Sequence, residues 1–343
     1  MIPLKAKIKS VFPLSAAVLI LLIAAKVAWK PANQLLYITG LIYLVCLMGF
    51  WLVNRTSENL SWSKSFYLPL TWILTTIILL GGVYRYDRAG WNWYKFTGYN
   101  VTLSENIPQA DVPITEFVQK HPIFSIDPSD SETLLLKSGE YEIDKSIVVP
   151  RGGSLRIEPG VTLKFAVGRS LISYRPIIAK GTKENHIRFV SQDSWRKWGV
   201  IGVVRTGKSI FEYADFRDGR QARVNNIDFF AMLSIIHSNV EISHCEFLDS
   251  FGKDAINVRY GEVVMENNTI INTYKDGIDL DGGSGVIRHN KFVNCEDEGI
   301  DLSENELVQV YENEILDNRG GSIGADVNLD VIKAQNVLGF YKH

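Results

Sequence analysis

The sequence has few cysteines, no excess of basic charge and no recognisable metal or nucleotide motif. Three cysteines in 343 residues do not make a disulfide framework. The formal net charge is −2, so the chain lacks the basic footprint of a protein that binds a phosphate backbone, and we do not expect nucleic acid as a partner. The six histidines show no zinc-ligand spacing, and there is no phosphate-binding loop or nucleophile elbow.

Long apolar runs are missing after Tyr84, but three of them occur before it. They cover residues 11–29, 35–53 and 67–84, and each is close to the ~20 residues that cross a hydrocarbon core as a helix. A cleaved signal peptide would contain only one such run. We therefore expect residues 1–95 to form a three-helix transmembrane region in the lipid bilayer.

The basic residues beside these runs predict the orientation of the chain. Lysines at positions 5, 7 and 9 precede the first run, and Arg55 and Lys64 lie between the second and the third. Such residues favour the cytoplasmic side. We expect a multi-pass protein of the cell (inner) membrane with a cytoplasmic N-terminus, its soluble part being periplasmic or extracellular. A three-span anchor also suggests contact with other membrane proteins.

The soluble part is self-similar, with a period near 22 residues. Ile256, Ile278 and Ile300 are each followed two residues later by another inward-type apolar residue, which is typical of short strands. Further columns with this period are Phe247, Ile270, Phe292 and Ile315; Ile242, Met265, Ile287 and Val310; and Cys245, Asn268, Asn290 and Asn313.

Several short strands in each 22-residue period predict a solenoid whose strands pair in parallel with those of the next coil, about 4.8 Å away. An asparagine column suits a corner of the coil, because asparagine tolerates the left-handed conformation and can hydrogen-bond its copy above. A leucine-rich repeat has a similar period but requires leucines and a helical side. We expect an all-β right-handed parallel β-helix over residues 138–343, after a linker and N-terminal cap over residues 96–137.

Carboxylates collect on two successive predicted coils, and we take them as candidate catalytic residues. They are Asp276, Asp279, Asp297, Glu298 and Asp301. Stacked anions repel, which raises at least one pKa or recruits a cation. A carboxyl pair with one member protonated and one ionised is what glycosidic bond cleavage needs, and a separation of ~6.5 to 9.5 Å would allow inversion.

Four other residues are candidate substrate contacts. Asn257 and Arg259 lie on the strand that precedes the acidic coils, Trp198 lies in a cluster of tryptophans and basic residues, and Arg319 lies one coil after the acids. The open alternatives are structural. Asp-Gly pairs are common turn residues, and a tryptophan cluster also forms coil edges.

The upstream segments resemble bacterial right-handed β-helix proteins of the pectin-lyase-like superfamily. The likeness covers residues from about Ser138 to the end, and it implies the fold more strongly than any activity. Its carriers are Ile157-Glu158-Pro159-Gly160-Val161, Ile178-Ala179-Lys180-Gly181-Thr182, Ile187-Arg188-Phe189, Trp198-Gly199-Val200 and the Asp-Gly-Ile-Asp coils.

The acidic coils are similar in particular to polygalacturonase-type glycoside hydrolases. The matching segments are residues 272–279, 296–301 and 319–324. The resemblance implies Asp297 as the general acid, with Asp276 and Glu298 holding and activating water. The chain departs from the family in two ways, since Arg319 stands at the family's histidine position and the later Arg-x-Lys clamp is missing.

Two functions from different classes follow. The first is an enzyme, a hydrolase, lyase or epimerase that modifies an envelope or extracellular polysaccharide. The second is a non-catalytic envelope scaffold that binds a glycan or a protein partner. We expect no cofactor and no dedicated metal site, with Ca²⁺ at the acidic coils as an alternative because carboxylate oxygens suit it.

Overall fold

The part of the chain that the structure describes is a parallel β-solenoid. The structure is a computed structural model that describes residues 103–107, 112–193, 197–303, 307–325 and 335–339. The three predicted membrane spans lie outside these residues. Within these ranges, no helix combines the length and the apolar character needed to cross a membrane.

Short strands dominate the described residues. In chain order the elements are β1 (Leu103–Glu105), α1 (Ile114–Lys120), β2 (Ser125–Asp127), β3 (Asp130–Leu136), β4 (Glu140–Ile143), β5 (Ile147–Val149), β6 (Leu155–Ile157), β7 (Thr162–Phe165), β8 (Leu171–Ser173), β9 (Ile177–Lys180), β10 (Ile187–Ser191), β11 (Ile201–Val204), β12 (Ser209–Glu212), β13 (Ala214–Arg217), β14 (Ala222–Val224), β15 (Ile227–Phe229), β16 (Ala231–Ile236), β17 (Val240–Ser243), β18 (Glu246–Ser250), β19 (Asp254–Arg259), β20 (Glu262–Glu266), β21 (Thr269–Thr273), β22 (Ile278–Asp281), β23 (Ser284–Arg288), β24 (Lys291–Cys295), β25 (Glu298–Ser303), β26 (Leu307–Tyr311), β27 (Glu314–Leu316), β28 (Gly321–Ala325) and β29 (Val337–Gly339).

The strands form three long sheets, and each coil contributes one strand to each sheet. Sheet 1 has the order β5-β8-β11-β16-β19-β22-β25-β28. Sheet 2 has the order β2-β3-β6-β9-β12-β17-β20-β23-β26, and sheet 3 the order β4-β7-β10-β13-β18-β21-β24-β27-β29. Apart from the antiparallel β2–β3 pair, these strands pair in parallel. The leucine-rich alternative is wrong, because the described coils carry strands on all three sides.

The core consists of stacked columns of apolar side chains. Ile256 pairs with Ile278 and Ile278 pairs with Ile300, and all three are fully buried. On sheet 3, the ring of Phe216 stacks on that of Phe247 with centroids 4.7 Å apart. Burial of such side chains is the main stabilising contribution to a solenoid. The predicted 22-residue repeat of parallel strands is confirmed.

The asparagine column forms a hydrogen-bonded ladder inside one corner. The Nδ2 of Asn268 donates to Oδ1 of Asn290 at 2.9 Å, and the Nδ2 of Asn290 donates to Oδ1 of Asn313 at 3.0 Å. The prediction that these asparagines are left-handed is wrong. The positive φ angles belong to the residues before them, with 54° at His289 and 56° at Glu312. The ladder residues instead turn their amides inward, where they satisfy buried backbone groups.

Both ends of the described solenoid carry additional structure. Helix α1 lies in the predicted cap, and its Phe117 joins the core with Phe124. Strand β3 begins the first coil at Asp130, ahead of the predicted start at residue 138. At the far end, β29 pairs in parallel with β27, and Asn336 adds a rung to the asparagine ladder. Among the described residues, the chain therefore closes with part of one more coil.

A small three-stranded sheet, separate from the three long sheets, covers part of the outer side of sheet 1. Strands β14 and β15 form an antiparallel hairpin, and β1 pairs in parallel with β14. Hairpin residue Phe229 packs against the outward side chains Ile172 and Val204 in an apolar cluster. A Cβ on Gly202 would lie 2.6 Å from Cε1 of Phe229, so this close approach requires glycine. We call the outer side of the first three strands of sheet 1, which are β5, β8 and β11, the covered face.

Candidate functional site

The residues on the outer side of sheet 1 change from apolar to polar beyond the strands that the hairpin covers. On the covered face the outward residues are apolar, whereas on β19, β22 and β25 the corresponding positions hold Asn257, Asp279 and Asp301. We call the outer side of these three strands the open face. Because inward and outward residues alternate along a strand, Ile278 and Leu280 enter the core while Asp279 stands outside. The outer side of the solenoid thus carries a polar strip that continues from an apolar one.

Arg259 lies at the boundary between the two faces. Its Nη2 donates to the backbone carbonyl of Asp228 in the hairpin, and its guanidinium lies 5.0 Å from the ring centroid of Phe230. The sequence predicts a substrate contact for this residue. The structure shows that it contacts the hairpin, so that it forms a wall at one end of the open face.

Asp279 and Asp301 stack directly, as the sequence predicts. They are register partners on β22 and β25. Burial, followed by the charges of Asp281 and Asp301, raises the pKa of Asp279 to about 7. Burial also raises the pKa of Asp301, and the nearby Asp276 adds to this effect. Asp279 therefore retains its proton close to neutral pH.

Asn257 continues this column on the preceding coil. Its Nδ2 donates to Oδ2 of Asp279 at 3.2 Å. The side chain is fully buried, and its Oδ1 has no hydrogen-bond partner among the described residues. A buried amide oxygen without a donor is costly, and because this side chain has no exposed surface, the prediction of Asn257 as a substrate contact is wrong.

A second group of acids lies at the corner that precedes sheet 1. We call it the corner cluster, and it consists of Asp254, Lys275, Asp276, Asp297 and Glu298. The Nζ of Lys275 lies 2.7 Å from Oδ2 of Asp276 and 3.4 Å from Oδ2 of Asp297. Asp276 is fully buried, and its Oδ1 accepts a hydrogen bond of 2.9 Å from the backbone N–H of Glu298. The sequence places these acids in one patch, but Asp276 has no exposed surface.

Glu298 and Asp297 share the accessible side of the corner cluster. Burial, followed by hydrogen bonds with Asp297 and Asp276, raises the pKa of Glu298 to about 7. One carboxylate oxygen from each of Asp276, Asp297 and Glu298 lies within 4.8 Å of the others. This is shorter than the ~6.5 to 9.5 Å that admits a water in an inverting glycosidase. No two of Asp276, Asp297 and Glu298 can therefore be both the acid and the base of an inverting glycosidase.

Sequence reasoning missed Asp254. Its side chain is 1% exposed, and both carboxyl oxygens lack a hydrogen-bond donor among the described residues. Burial, together with the charges of Asp279 and Asp276, raises its pKa well above the usual range, so it is a buried carboxylic acid. A signal was present, because Lys253-Asp254-Ala255-Ile256 repeats as Lys275-Asp276-Gly277-Ile278 one coil later.

The glycine after Asp276 is a packing residue. Gly277 does not have a left-handed backbone, yet a Cβ there would lie 2.4 Å from the carbonyl oxygen of Gly299. Gly277 allows successive coils to approach closely where the corner meets sheet 1. The Asp281-Gly282 pair differs, because Gly282 has a φ of 60°, the left-handed conformation that the turn alternative expects.

Trp198 and Arg319 are not on the open face. Trp198 is fully buried, stacks on Phe165 with centroids 5.0 Å apart, and donates from Nε1 to the carbonyl of Arg217 at 2.6 Å. Its prediction as a sugar contact is wrong, because a core ring presents no face to a ligand. The Nη1 of Arg319 lies 2.5 Å from Oε2 of Glu296, and both side chains are exposed.

The corner cluster also has the donor set of a cation site. Hard oxygen ligands from Asp276, Asp297 and Glu298 would suit Ca²⁺. The ammonium of Lys275 lies beside two of these carboxylates and supplies positive charge there. Hydrogen bonding to Asp276 and the surrounding carboxylates raise the pKa of Lys275 overall, despite the opposing effect of its partial burial. The cluster is therefore partly neutralised by the chain itself.

Comparison with known proteins supports the fold. Residues 183–336 match the family model described as "Right handed beta helix region". The curated proteins and the solved structures gave no match to the chain. The matched region runs from β10 to the last rung of the asparagine ladder and includes the open face and the corner cluster. Together, the family match and the three parallel sheets identify this region as a right-handed parallel β-helix.

Proposed function

We propose that the protein modifies a polysaccharide by cleaving glycosidic bonds with the carboxyl groups of the open face and the corner cluster. One observation carries this proposal. Asp279 and Glu298, on successive coils, both have pKa values of about 7, and they lie beside other carboxylates. Glycoside hydrolysis requires such a mixture of protonated and ionised carboxyl groups.

The general acid comes from the groups that retain a proton near neutral pH. Asp279 has the required pKa on the open face, and Glu298 has it at the corner. An acid whose pKa is near the working pH donates its proton most effectively. Asp301 stacks on Asp279, and the negative charge of Asp301 raises the pKa of Asp279, which favours the protonated form of Asp279.

Asp297 is the second carboxyl group in this mechanism, the base. Its side chain is 37% exposed, and its Oδ2 lies 3.4 Å from the ammonium of Lys275. The oxygens of Asp276, Asp297 and Glu298 are too close together to enclose a water, so we assign the acid to Asp279 of the open face and the base to Asp297 of the corner cluster. Asp276 is buried and serves to orient Lys275 and the backbone of Glu298.

The proposed setting is the outside of a membrane. Residues 1–95 would anchor the chain by three spans, with the basic N-terminal segment and the loop between the second and third spans on the cytoplasmic side. The β-helix would then meet an envelope or extracellular polysaccharide. A three-span anchor also fits assembly with other membrane proteins.

A second candidate function is non-catalytic glycan binding. One observation favours it, since Asp276 is fully buried and paired with Lys275, as in a structural ion pair. In that case the open face binds a glycan through hydrogen bonds with the partly exposed carboxyls of Asp279 and Asp301. Activity measurements separate the two functions.

The test is a panel of polysaccharides incubated with the full chain. Released reducing ends report hydrolysis, and absorbance from unsaturated products reports elimination. We expect reducing ends, with at least a hundredfold lower rate for Asp279→Asn and for Glu298→Gln. Glu246→Gln, an exposed acid on sheet 3, is the matched control and should be fully active. Binding of a glycan without any product would overturn hydrolysis and support the second function.

A further inference from the structure

A pocket of about 400 Å³ lies beside the hairpin, and its lining residues are distinct from those of the open face and the corner cluster. Its apolar wall combines Tyr174, Val204 and Ile236, which lie at or next to the ends of strands of sheet 1, with Ile227 of the hairpin. The first three side chains are less than 9% exposed, so packing holds the wall in place. Such a wall accepts an apolar group of a ligand.

The rim of the same pocket is basic. Arg151, Arg205 and His237 line it, and all three are exposed. Within the described residues, none of them forms an ion pair with a carboxylate. Two arginines without a counter-charge favour a phosphate group, which their planar forks can bind through two hydrogen bonds each. The ligand that fits the pocket is therefore an anion with an apolar part.

Tyrosine rings flank the basic rim on both sides. Tyr260 is 55% exposed and stacks on His237 with ring centroids 4.9 Å apart. The guanidinium of Arg151 lies over the ring of Tyr174 at 5.4 Å. Membrane proteins place tyrosine and arginine at the level of the lipid headgroups, because each joins an apolar body to a polar tip. The composition of this surface thus favours a lipid over a small anion from solution.

We propose that this pocket binds the headgroup of an anionic phospholipid, with the phosphate at Arg151 and Arg205 and the first acyl carbons against the apolar wall. The lipid belongs to the bilayer that anchors the chain, so the proposal rests on the membrane setting of the proposed function. Binding of this kind docks the hairpin side of the β-helix onto the membrane surface.

The path of the chain supports this occupant. Strand β1 pairs with β14, and β14 pairs with β15, where Val224 lies opposite the pocket residue Ile227. The described chain thus enters the β-helix at the hairpin, beside the pocket. Leu103, where β1 begins, follows the predicted transmembrane region by eight residues in the sequence. Eight residues reach at most about 29 Å when fully extended, so in the proposed setting the hairpin stays near the bilayer surface.

The test is calorimetric titration of the full chain, held in a neutral detergent, with the short-chain lipid dioctanoyl-phosphatidylglycerol. Zwitterionic dioctanoyl-phosphatidylcholine and inorganic phosphate are titrated for comparison, and both should bind at least tenfold more weakly. The double variant Arg151→Gln and Arg205→Asn should weaken binding of phosphatidylglycerol at least tenfold, because each arginine near an anionic lipid contributes about a fivefold gain in affinity. Asparagine suits position 205 because φ there is 49°, in the left-handed region.

Arg217→Gln, an exposed arginine on sheet 3, is the matched control and should bind within twofold of the native chain. If Arg205→Asn lowers the melting temperature, Arg151→Gln alone should still weaken binding about fivefold. Equal affinity for phosphatidylcholine would show that the charge is not recognised, and equal affinity for inorganic phosphate would show that the apolar wall is not used. Native affinity in the double variant would place the lipid elsewhere on the chain. Each of these three results would overturn the proposal.

Asp279→Asn separates this proposal from the proposed cleavage. It should abolish cleavage and leave the affinity for phosphatidylglycerol unchanged, whereas loss of lipid binding in this variant would overturn the pocket as the binding site. The membrane setting is tested by removing the detergent. A chain that then stays in solution would overturn that setting and the lipid proposal with it, without affecting cleavage. An anchored chain that binds no phosphatidylglycerol would overturn the lipid proposal alone.

Discussion

The ammonium of Lys275 lies 2.7 Å from Oδ2 of Asp276, a carboxylate with no exposed surface. The lysine is 40% exposed, so it reaches from solvent to a buried charge. Removing one partner of a buried ion pair leaves the other uncompensated, and this is far more costly than losing an exposed pair.

Lys275→Met should therefore destabilise the β-helix by about 2 to 4 kcal/mol, measured by chemical denaturation of the full chain. Adding Asp276→Asn should restore part of this loss, since no buried charge then remains. Lys164→Met removes an exposed lysine that pairs with Glu140 at 2.6 Å, and it should cost less than about 1 kcal/mol. Equal effects of the two lysine variants would contradict our description of the corner cluster.

Stability should fall as the pH rises towards neutrality, because acids of the open face and the corner cluster have raised pKa values. For Asp279 the pKa rises from 3.8 to about 7, and for Glu298 from 4.5 to about 7. A raised pKa means that the folded state prefers the protonated acid, so its contribution is complete below the unfolded pKa and is lost as pH rises to about 7. We expect a lower free energy of unfolding at pH 8 than at pH 4. The change in the free energy of unfolding with pH should be smaller in Asp279→Asn than in the native chain. The same change in both would show that Asp279 is not protonated in the folded state.

The asparagine ladder should be sensitive to a single substitution. The Nδ2 of Asn290 donates to the carbonyl of Met265 at 2.9 Å, and its Oδ1 accepts from the backbone N–H of Asn268 at 3.0 Å. Asn290→Ala leaves both buried backbone groups unpaired, at about 3 to 5 kcal/mol in total. As a control, Asn294→Gly removes an exposed asparagine and keeps its positive φ, so it should change stability by less than about 1 kcal/mol. Thermal melting of the full chain measures both.

Gly202 should be essential for seating the hairpin. A side chain there would meet Phe229 of the hairpin at 2.6 Å and Ile172 at 2.8 Å. We expect Gly202→Leu to detach the hairpin and to speed trypsin cleavage at Arg223, while the coils stay folded by circular dichroism. Gly207→Ala is the control, because its Cβ would lie at an ordinary 3.4 Å from Pro176. Unchanged cleavage in Gly202→Leu would mean that the hairpin tolerates a bulky residue beneath it.

The repeat was predictable because stacking forces chemically similar residues into one column. Ile256, Ile278 and Ile300 carry the signal in the sequence, and the register of sheet 1 confirms it. Asp279 and Asp301 could be placed together for the same reason, since a register fixes neighbours across coils. The resemblance to glycoside hydrolases stays a prediction, as do the membrane spans.

Other features could not be predicted because they break the period. The hairpin interrupts one coil between β13 and β16, and nothing in its sequence shows that Phe229 folds back onto Gly202. Trp198 belongs to a local cluster of aromatic and basic residues, which does not reveal that its ring enters the core. Asp254 does follow the period, since it repeats as Asp276 one coil later, but the sequence does not reveal that its carboxyl is buried.

Among the described residues, Arg259 and the hairpin form a wall at the end of the open face where β19 adjoins β16. The two directions along this face are therefore not equivalent for a linear molecule, which meets the wall when it runs from β25 towards β19.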